Sequence, residues 1–226
     1  MFKLITKTIA AVAIVSVALF GSANAKTLKI ETHFTASSPN GEVAAQFAKN
    51  VEEFSGGSLK VQMFYSSSVT GKSAEVFNSA QTGIIDCDMT GAGYQTGKNA
   101  AFQFAGDVMG GYDNPYQQYD FLKFPGAQEA VDALYNKYGM TLIGWWIPGH
   151  ESLISSKPIP DVASIKDFKF RSPPGMDRMI FTAIDAKPIV RDFMEFPTDL
   201  KTGLIDGADY SSLATNNKVG QHEQNK

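Results

Sequence analysis

Arg171 is the residue of this chain whose type and place could do the most chemistry. It closes the run Asp167-Phe168-Lys169-Phe170-Arg171, which alternates as a strand, and the loop Ser172-Pro173-Pro174-Gly175 then opens a helix over residues 176–185. A guanidinium at a strand's carboxyl end can face a cleft, and its planar fork matches a carboxylate through two parallel charge-assisted bonds. The plainer reading of the same pattern is a surface arginine at a strand end. No catalytic set accompanies it. His33, His150 and His222 show neither the HExxH spacing nor the close pairing that holds zinc, and there is no GxSxG elbow. Cys87, the one cysteine, follows Ile84-Ile85-Asp86 as a buried strand thiol with no cationic neighbour to activate it, and it can make no internal disulfide. Gly91-Ala92-Gly93 would let a ligand approach backbone N–H groups, but no GxGxxG phosphate loop is present. These residue types describe a binder. The competing class is an exported α/β hydrolase or lyase acting on an organic acid, and it lacks a nucleophile with its base.

The elements that must position these residues carry a repeat. Gln81-Thr82-Gly83-Ile84-Ile85-Asp86 and Lys201-Thr202-Gly203-Leu204-Ile205-Asp206 each follow a stretch able to form a helix. In each, the glycine supplies the positive-φ residue that ends a helix, and an apolar pair then Asp reads as entry into a buried strand. Either this is an ordinary α/β corner used twice, or it marks two α/β lobes of similar build with a cleft between them. The spacing predicts strands over 27–30, 59–65 and 84–89, and helices over 42–54 and 73–82, the first with Val43, Phe47, Val51 and Phe54 in one stripe. It predicts further helices over 114–124 and 126–138, an apolar strand over 140–146, and a crossing between lobes at Pro148-Gly149. Strands over 188–190 and 204–210 flank a helix end at 197–201, and the polar tail 221–226 carries nothing that returns to the first lobe.

The first 25 residues read as a signal peptide: Lys3 and Lys7, an apolar run over 9–20, then Ala23-Asn24-Ala25 as a small-x-small cleavage site. That run is about 12 residues, short of the roughly 20 needed to span a bilayer, so the expectation is cleavage after Ala25, export to the periplasm and no direct membrane insertion afterwards. An N-terminal lobe over 26–148 and a second lobe over 149–226 then divide the mature chain. With 43% hydrophobic residues the chain can bury a core without disulfides, and a net charge of −3 with no basic block excludes nucleic acid or an anionic membrane as main partner.

Residues 167–209 resemble the central signature of the extracytoplasmic solute-binding subunits of TRAP transporters, the DctP family. The strand ending in Arg171 leads to a proline, and Ala186-Lys187-Pro188-Ile189-Val190 stands where the family has Gly-Ala-x-Pro-Val. Glu195 matches a family Glu, and Leu200-Lys201-Thr202-Gly203-Leu204-Ile205-Asp206-Gly207 stands where the family has Leu-Gln-x-Gly-Val-x-Asp-Gly. The likeness extends back to Leu28, with Ser66-Ser67-Ser68 resembling Ser-Ser-x-Leu-Gly and 151–159 lying where the chain crosses into the second lobe.

This resemblance implies an α/β, two-lobed clamshell of the periplasmic-binding-protein type, its second lobe incomplete. It implies a receptor that captures a small organic acid without turnover and delivers it to an ion-gradient-driven TRAP permease. A 2-oxo or 2-hydroxy monocarboxylate is the expected solute, with a sulfonate or a zwitterionic osmolyte as the alternative. Position by position, Arg171 matches the carboxylate-binding arginine, Phe193 a pocket aromatic, Tyr210 a position often filled by a ligand-binding Asn or Trp, and Asp209 the acid before it. His33 matches a polar pocket residue after the first strand, and Gly91 a variable pocket position after the third.

Two departures stand out. Glu151 replaces the second arginine of the sugar-acid binders, and Asp209-Tyr210 replaces Glu followed by Asn or Trp. Buried acids need compensation, so the pair calls for a bound cation, a hydroxyl-rich ligand or an ammonium on the ligand. No cofactor is required, but Glu151, Asp209 and the Tyr210 carbonyl offer the hard oxygens of a sodium or calcium ion bridging the ligand. The plainer reading leaves Glu151 on a solvated rim and has Asp209 cap local backbone. Length is a further departure: family members return to the first lobe through a long helix, and the chain is expected to lack about its last third.

Overall fold

Strand β1 (Lys26–Glu31) carries an exposed start into a buried end, and helix α1 (Pro39–Phe54) returns the chain to β2 (Leu59–Phe64), parallel to β1. The structure is a computed structural model that describes residues 25–147, 149–218 and 220–223. The signal-peptide expectation therefore falls outside the described residues except for Ala25. Helix α1 starts three residues earlier than the expected 42–54 because the Ser38 hydroxyl accepts the Gly41 N–H at 3.1 Å and Pro39 occupies the first turn, where a missing N–H costs nothing. Of that stripe, Phe47 and Val51 are half-buried while Val43 and Phe54 are exposed.

After a 3₁₀ turn at Ser73–Glu75, α2 (Val76–Gln81) leads to β3 (Cys87–Asp88), which pairs parallel with the other edge of β1. The first sheet is thus ordered β2-β1-β3. Two 3₁₀ segments (Ala92–Gln95 and Ala100–Ala105) precede α3 (Pro115–Lys123) and α4 (Ala127–Asn136), and Phe77, Phe102, Val131 and Leu134 form their common core.

Residues 140–147 form no strand, contrary to the expectation from their apolar run. Met140, Leu142 and Trp145 pack on the core of the first lobe, while Trp146 packs on the core of the second. Two cores pull the segment apart, so its apolar character reflects packing from both sides and not a ladder. Gly149 follows at φ +95°, and Pro148 lies outside the described residues.

The second sheet contains β4 (Glu151–Ser155), β5 (Lys169–Ser172), β6 (Lys187–Val190) and β7 (Gly207–Ser212), ordered β4-β7-β5-β6. Strand β4 runs antiparallel to β7; the other pairs are parallel. Helices α5 (Met176–Ala183) and α6 (Phe196–Lys201) cover it, with Phe196, Leu200, Ile205 and Ala208 in one core and Phe168, Phe170 and Phe181 in another.

The repeated corner is the same structure in both sheets. Gly83 and Gly203 have φ +76° and +72°. Ile84 and Leu204 each donate back five residues to the carbonyls of Ser79 and Asp199 at 2.9 Å, the bond of a Schellman helix end. Asp86 and Asp206 then clasp the neighbouring strand twice: their N–H groups donate to the carbonyls of Lys29 (2.8 Å) and Lys169 (2.7 Å), and their carboxylates accept the N–H of the same lysines at 2.8 and 3.0 Å. One corner lies in each sheet, and no single sheet holds both, as the two-lobed α/β clamshell requires.

The last described helix, α7 (Leu213–Lys218), lies against α1, and Lys218 forms an ion pair with Glu42. Helix α7 begins directly after β7 and is carried back to the first lobe by that strand's direction, ahead of the polar tail. Among the described residues, no helix is long and apolar enough to cross a membrane.

Candidate functional site

A cavity of about 780 Å³ lies between the two sheets, walled by His33 after β1, Gly91 after β3, Arg171 in β5, Phe193 after β6, Tyr210 in β7 and Glu151 at the start of β4. Most of these sit at or beyond the carboxyl ends of parallel strands, where an open α/β sheet exposes backbone and leaves room for a ligand. The structure thus brings six of the seven sequence-derived site residues to one wall. Asp209 is the exception.

Arg171 is 2% exposed, and three of its N–H groups are already bonded. Nε donates to the Arg191 carbonyl at 3.2 Å, Nη1 to the Asp209 carbonyl at 2.9 Å and Nη2 to the Tyr94 hydroxyl at 3.4 Å. A guanidinium carries five N–H donors, so two are not taken by these three bonds. The three bonds fix the plane of the fork before any ligand arrives.

Asp209 lies beside the arginine and off the cavity wall: its Oδ1 is 3.8 Å from Arg171 Nη1, and neither carboxylate oxygen has a hydrogen-bond partner. Burial raises its carboxyl to about 7, although the Arg171 charge pulls the other way. It lies as counter-charge to the arginine, behind the cavity wall on which a ligand-facing acid is expected. Of the oxygens offered for a bridging sodium or calcium ion, those of Glu151 and Tyr210 belong to residues on the cavity wall and those of Asp209 do not. Among the described residues, no three His, Cys, Asp or Glu side chains form a group able to hold a metal.

Glu151 exposes its surface into the cavity, yet the surrounding protein raises its carboxyl well above the usual range, burial first and then the charges of Asp107 and Asp209. Because the side chain reaches cleft water, this shift grows only as the cleft dries. His33 is 5% exposed, and burial lowers its imidazole to about 3, so it is neutral; its Nδ1 has no partner. It packs against Phe34, Phe193 and Tyr94 with ring centroids 4.1, 4.8 and 5.7 Å away. Phe193 stacks on Tyr210 at 4.2 Å with an interplanar angle of 11°. Gly91 has extended backbone, and a Cβ there would meet the Tyr94 ring at 3.7 Å.

Four participants were not read from the sequence. Tyr94 ends the Gly91-Ala92-Gly93 loop, so its neighbourhood was legible though its bond to Arg171 was not. Asp177 stands in the first turn of α5, just past the loop that Arg171 opens, and burial raises its carboxyl to about 6. Asp107, also on the cavity wall, carried no local signal. Asp192 accepts from the Ser73 N–H at 2.7 Å and from the Ser73 hydroxyl at 3.2 Å, linking the two lobes beside the site.

Cys87 is half-buried and its thiol is raised by burial and by Asp86 and Asp88, in keeping with a structural role. Residues 30–225 match the model of the family described as bacterial extracellular solute-binding protein, family 7 (DctP). Solute-binding protein RD1_1052 of Roseobacter denitrificans is 24% identical over 204 residues, 89% of this chain and 62% of that protein. Among solved structures, a TRAP periplasmic solute-binding protein of Rhodobacter sphaeroides, in an apo open form, is 30% identical with a TM-score of 0.60; the match covers 88% of this chain and 62% of that one. A TRAP transporter solute-binding protein of Bordetella bronchiseptica is 19% identical with a TM-score of 0.76, over 88% of this chain and 59% of that one. That structure is a mixed-occupancy dimer with copurified calcium and picolinate in the bound active site versus an apo site. This chain spans about 60% of the length of each of these proteins. Matched by the family model over almost all its described length, the chain belongs to the DctP family of TRAP solute-binding proteins.

Proposed function

We propose that this chain is the solute-capturing part of a periplasmic receptor that binds a small monocarboxylate of 2-oxo or 2-hydroxy type and delivers it to a TRAP permease driven by an ion gradient. The observation that carries this reading is Arg171: a buried guanidinium on a cavity wall, held in one plane by three bonds and keeping two N–H groups free. A carboxylate fits that remainder, and the Tyr94 hydroxyl and His33 imidazole stand beside it for an oxygen on the adjacent carbon. Among the described residues the cavity wall has no second Lys or Arg, which disfavours a dicarboxylate. Residues 26–148 and 149–226 act as the two lobes, and export follows cleavage after Ala25. The solute leaves unchanged, since no nucleophile stands with a base.

A bridging sodium or calcium ion is the less favoured form of this reading, because Glu151 would have to act without Asp209. A sulfonate would also meet the arginine, though its third oxygen finds no further cation. Thermal shift of the protein against a panel of monocarboxylates, dicarboxylates and sulfonates tests the reading, since a ligand at 100 times its dissociation constant adds about 2.7 kcal/mol. Monocarboxylates should stabilise in buffers with and without chelator. Stabilisation by none of them, or turnover of any acid in the panel, would overturn the proposal.

A further inference from the structure

We infer that Glu31 is a positioning residue for solute capture: its buried carboxylate fixes the arch of residues 66–72 in the shape that carries Ser73 to Asp192 across the cleft. This goes beyond the monocarboxylate reading, which it needs only where affinity is measured.

Glu31 ends β1 and is 0% exposed, yet its surroundings give a carboxylate little reason to be there. Its register partners are Phe64 on β2 and Asp88 on β3, a second acid. Among the described residues, no Lys or Arg pairs with it. Oε2 has no partner, while Oε1 accepts the Val69 N–H at 2.6 Å and the Thr70 N–H at 3.4 Å. Burying a carboxylate with one oxygen idle is costly, and an apolar side chain of similar size would fill the same space without that cost. What an apolar side chain could not supply is an acceptor for two loop N–H groups.

Those two groups belong to a segment that does not hold its shape by preference. Ser66 and Ser67 have φ +57° and +48°, two consecutive non-glycine residues in the left-handed region, where Cβ crowds the next carbonyl. Such a pair persists where the surrounding structure over-determines it. The Ser66 and Ser67 N–H groups donate to the carbonyls of Phe34 (3.0 Å) and Thr32 (3.1 Å), and the Gly71 N–H closes the turn on the Ser67 carbonyl at 2.6 Å. Glu31 supplies the remaining tie, and among the described residues it is the one side chain from outside the arch that does so.

The arch leads directly to the clasp. The Thr70 hydroxyl donates to the Lys72 carbonyl at 3.1 Å, and the next residue, Ser73, gives its N–H and hydroxyl to Asp192. Asp192 stands between Arg191, whose carbonyl accepts from Arg171 Nε, and Phe193 on the cavity wall. Only residues 71 and 72 separate Thr70 from Ser73, so a displaced arch has almost no slack in which to leave Ser73 in place.

Hydrogen exchange on the ligand-free protein tests this first, without any variant. The Val69, Gly71 and Ser73 amides should open as one unit, with protection factors within about fivefold of one another and the same denaturant dependence. Ser73 protection that departs from Val69 by more than this would overturn the inference. Glu31→Leu removes the acceptor and should lower Ser73 protection by about tenfold or more, while the Asp86 N–H, bonded to the Lys29 carbonyl in the same lobe, keeps its own. Glu31→Gln retains an acceptor oxygen and should recover most of the loss. Equal losses at Asp86 and Ser73 would make Glu31 a residue of general stability and overturn the inference; should Glu31→Leu fail to fold, the wild-type amides still decide. Calorimetry with pyruvate and lactate then reads the consequence for binding. Glu31→Leu should weaken the bound probe by a factor close to that of Asp192→Ala, and in the Asp192→Ala background it should add less than about twofold, because both act through one clasp. Losses that multiply would overturn the inference. If neither probe binds the wild-type protein, the monocarboxylate reading falls, and exchange at Ser73 still decides the role of Glu31.

Discussion

At the scale of single residues, the site is a buried cation whose neighbours were chosen to hold it still. Lysine at position 171 would keep the charge and lose the fork: a point charge cannot replace bonds to the carbonyls of Arg191 and Asp209 while also presenting two donors to a ligand. Arg171→Lys should therefore weaken solute binding by roughly 1.5–3 kcal/mol, the range for a hydrogen bond to a charged group, with a smaller change in melting temperature. Unchanged affinity by calorimetry would show that the arginine is not the anchor. The acids make a separate prediction. Asp177, at 3.8 in the ordinary case, is raised to about 6, and Asp209 to about 7, in each case chiefly by burial. Their native forms bind protons that the unfolded chain has already released, so their contribution to stability is present below about pH 4 and is lost as pH rises towards 6 to 7. Ligand-free protein should lose melting temperature across that window relative to Asp177→Asn, which removes one of the titrating groups. Parallel pH profiles for the two proteins would exclude Asp177 as a source of the effect.

At the scale of elements, the repeated corner explains how much local sequence can say. The positive φ of Gly83 and Gly203 is demanded by the Schellman bonds, and a Cβ at either would meet no atom within 4 Å, so the cost of alanine is conformational. Gly83→Ala and Gly203→Ala should each destabilise by about 1–2 kcal/mol, and by similar amounts if the two corners are equivalent, as measured by denaturant unfolding. A change below a few tenths of a kcal/mol at either would show that the corner relaxes. These glycines were legible because a helix end is set by its own few residues. So was the β1-α1-β2 unit, whose periods of two and 3.6 are local. The apolar pair after each glycine misled more: Ile84 is 55% exposed and belongs to the turn, so β3 shrinks to Cys87–Asp88. Strand β7 likewise begins three residues later than its apolar pair suggested and extends through Ser212. Strand β4 escaped notice because Glu151–Ser155 is defined by antiparallel pairing with a strand more than fifty residues away. In the site, Arg171 could be found from its place at a strand end. Its partner Tyr94 and the clasp from Asp192 to Ser73 could not, since both arise where separate lobes meet.

At the scale of the whole molecule, the clasp and the anchor share one short segment. Arg191 gives its carbonyl to Arg171 Nε, Asp192 reaches across to the N–H and hydroxyl of Ser73, and Phe193 stacks in the cavity wall. A second clasp joins the lobes on the other side of Arg171, where Gln103 Oε1 accepts the Met176 N–H at 2.6 Å just past Gly175. Gly175 has φ +101°, and a Cβ there would lie 2.1 Å from that oxygen, so any side chain would displace the Gln103 amide and break this clasp. Opening the cleft must break bonds that hang on the same backbone that orients the guanidinium. Asp192→Ala should therefore shift the ligand-free protein towards an open form and lower apparent affinity by the fraction of closed molecules lost. If the clasp contributes about 1.5–3 kcal/mol, as expected for hydrogen bonds to a charged acceptor, the loss is roughly 10- to 150-fold. Asp192 also caps the Met194 N–H at 3.0 Å, so Asp192→Asn, which keeps an acceptor for that turn, serves as the control and should lose less. Small-angle scattering of the ligand-free proteins should record a larger radius of gyration for Asp192→Ala, and saturating solute should bring it back towards the wild-type value. Weakened binding with no change in radius would place Asp192 in the ligand site itself, and unchanged affinity together with unchanged radius would remove the clasp as a determinant of closure.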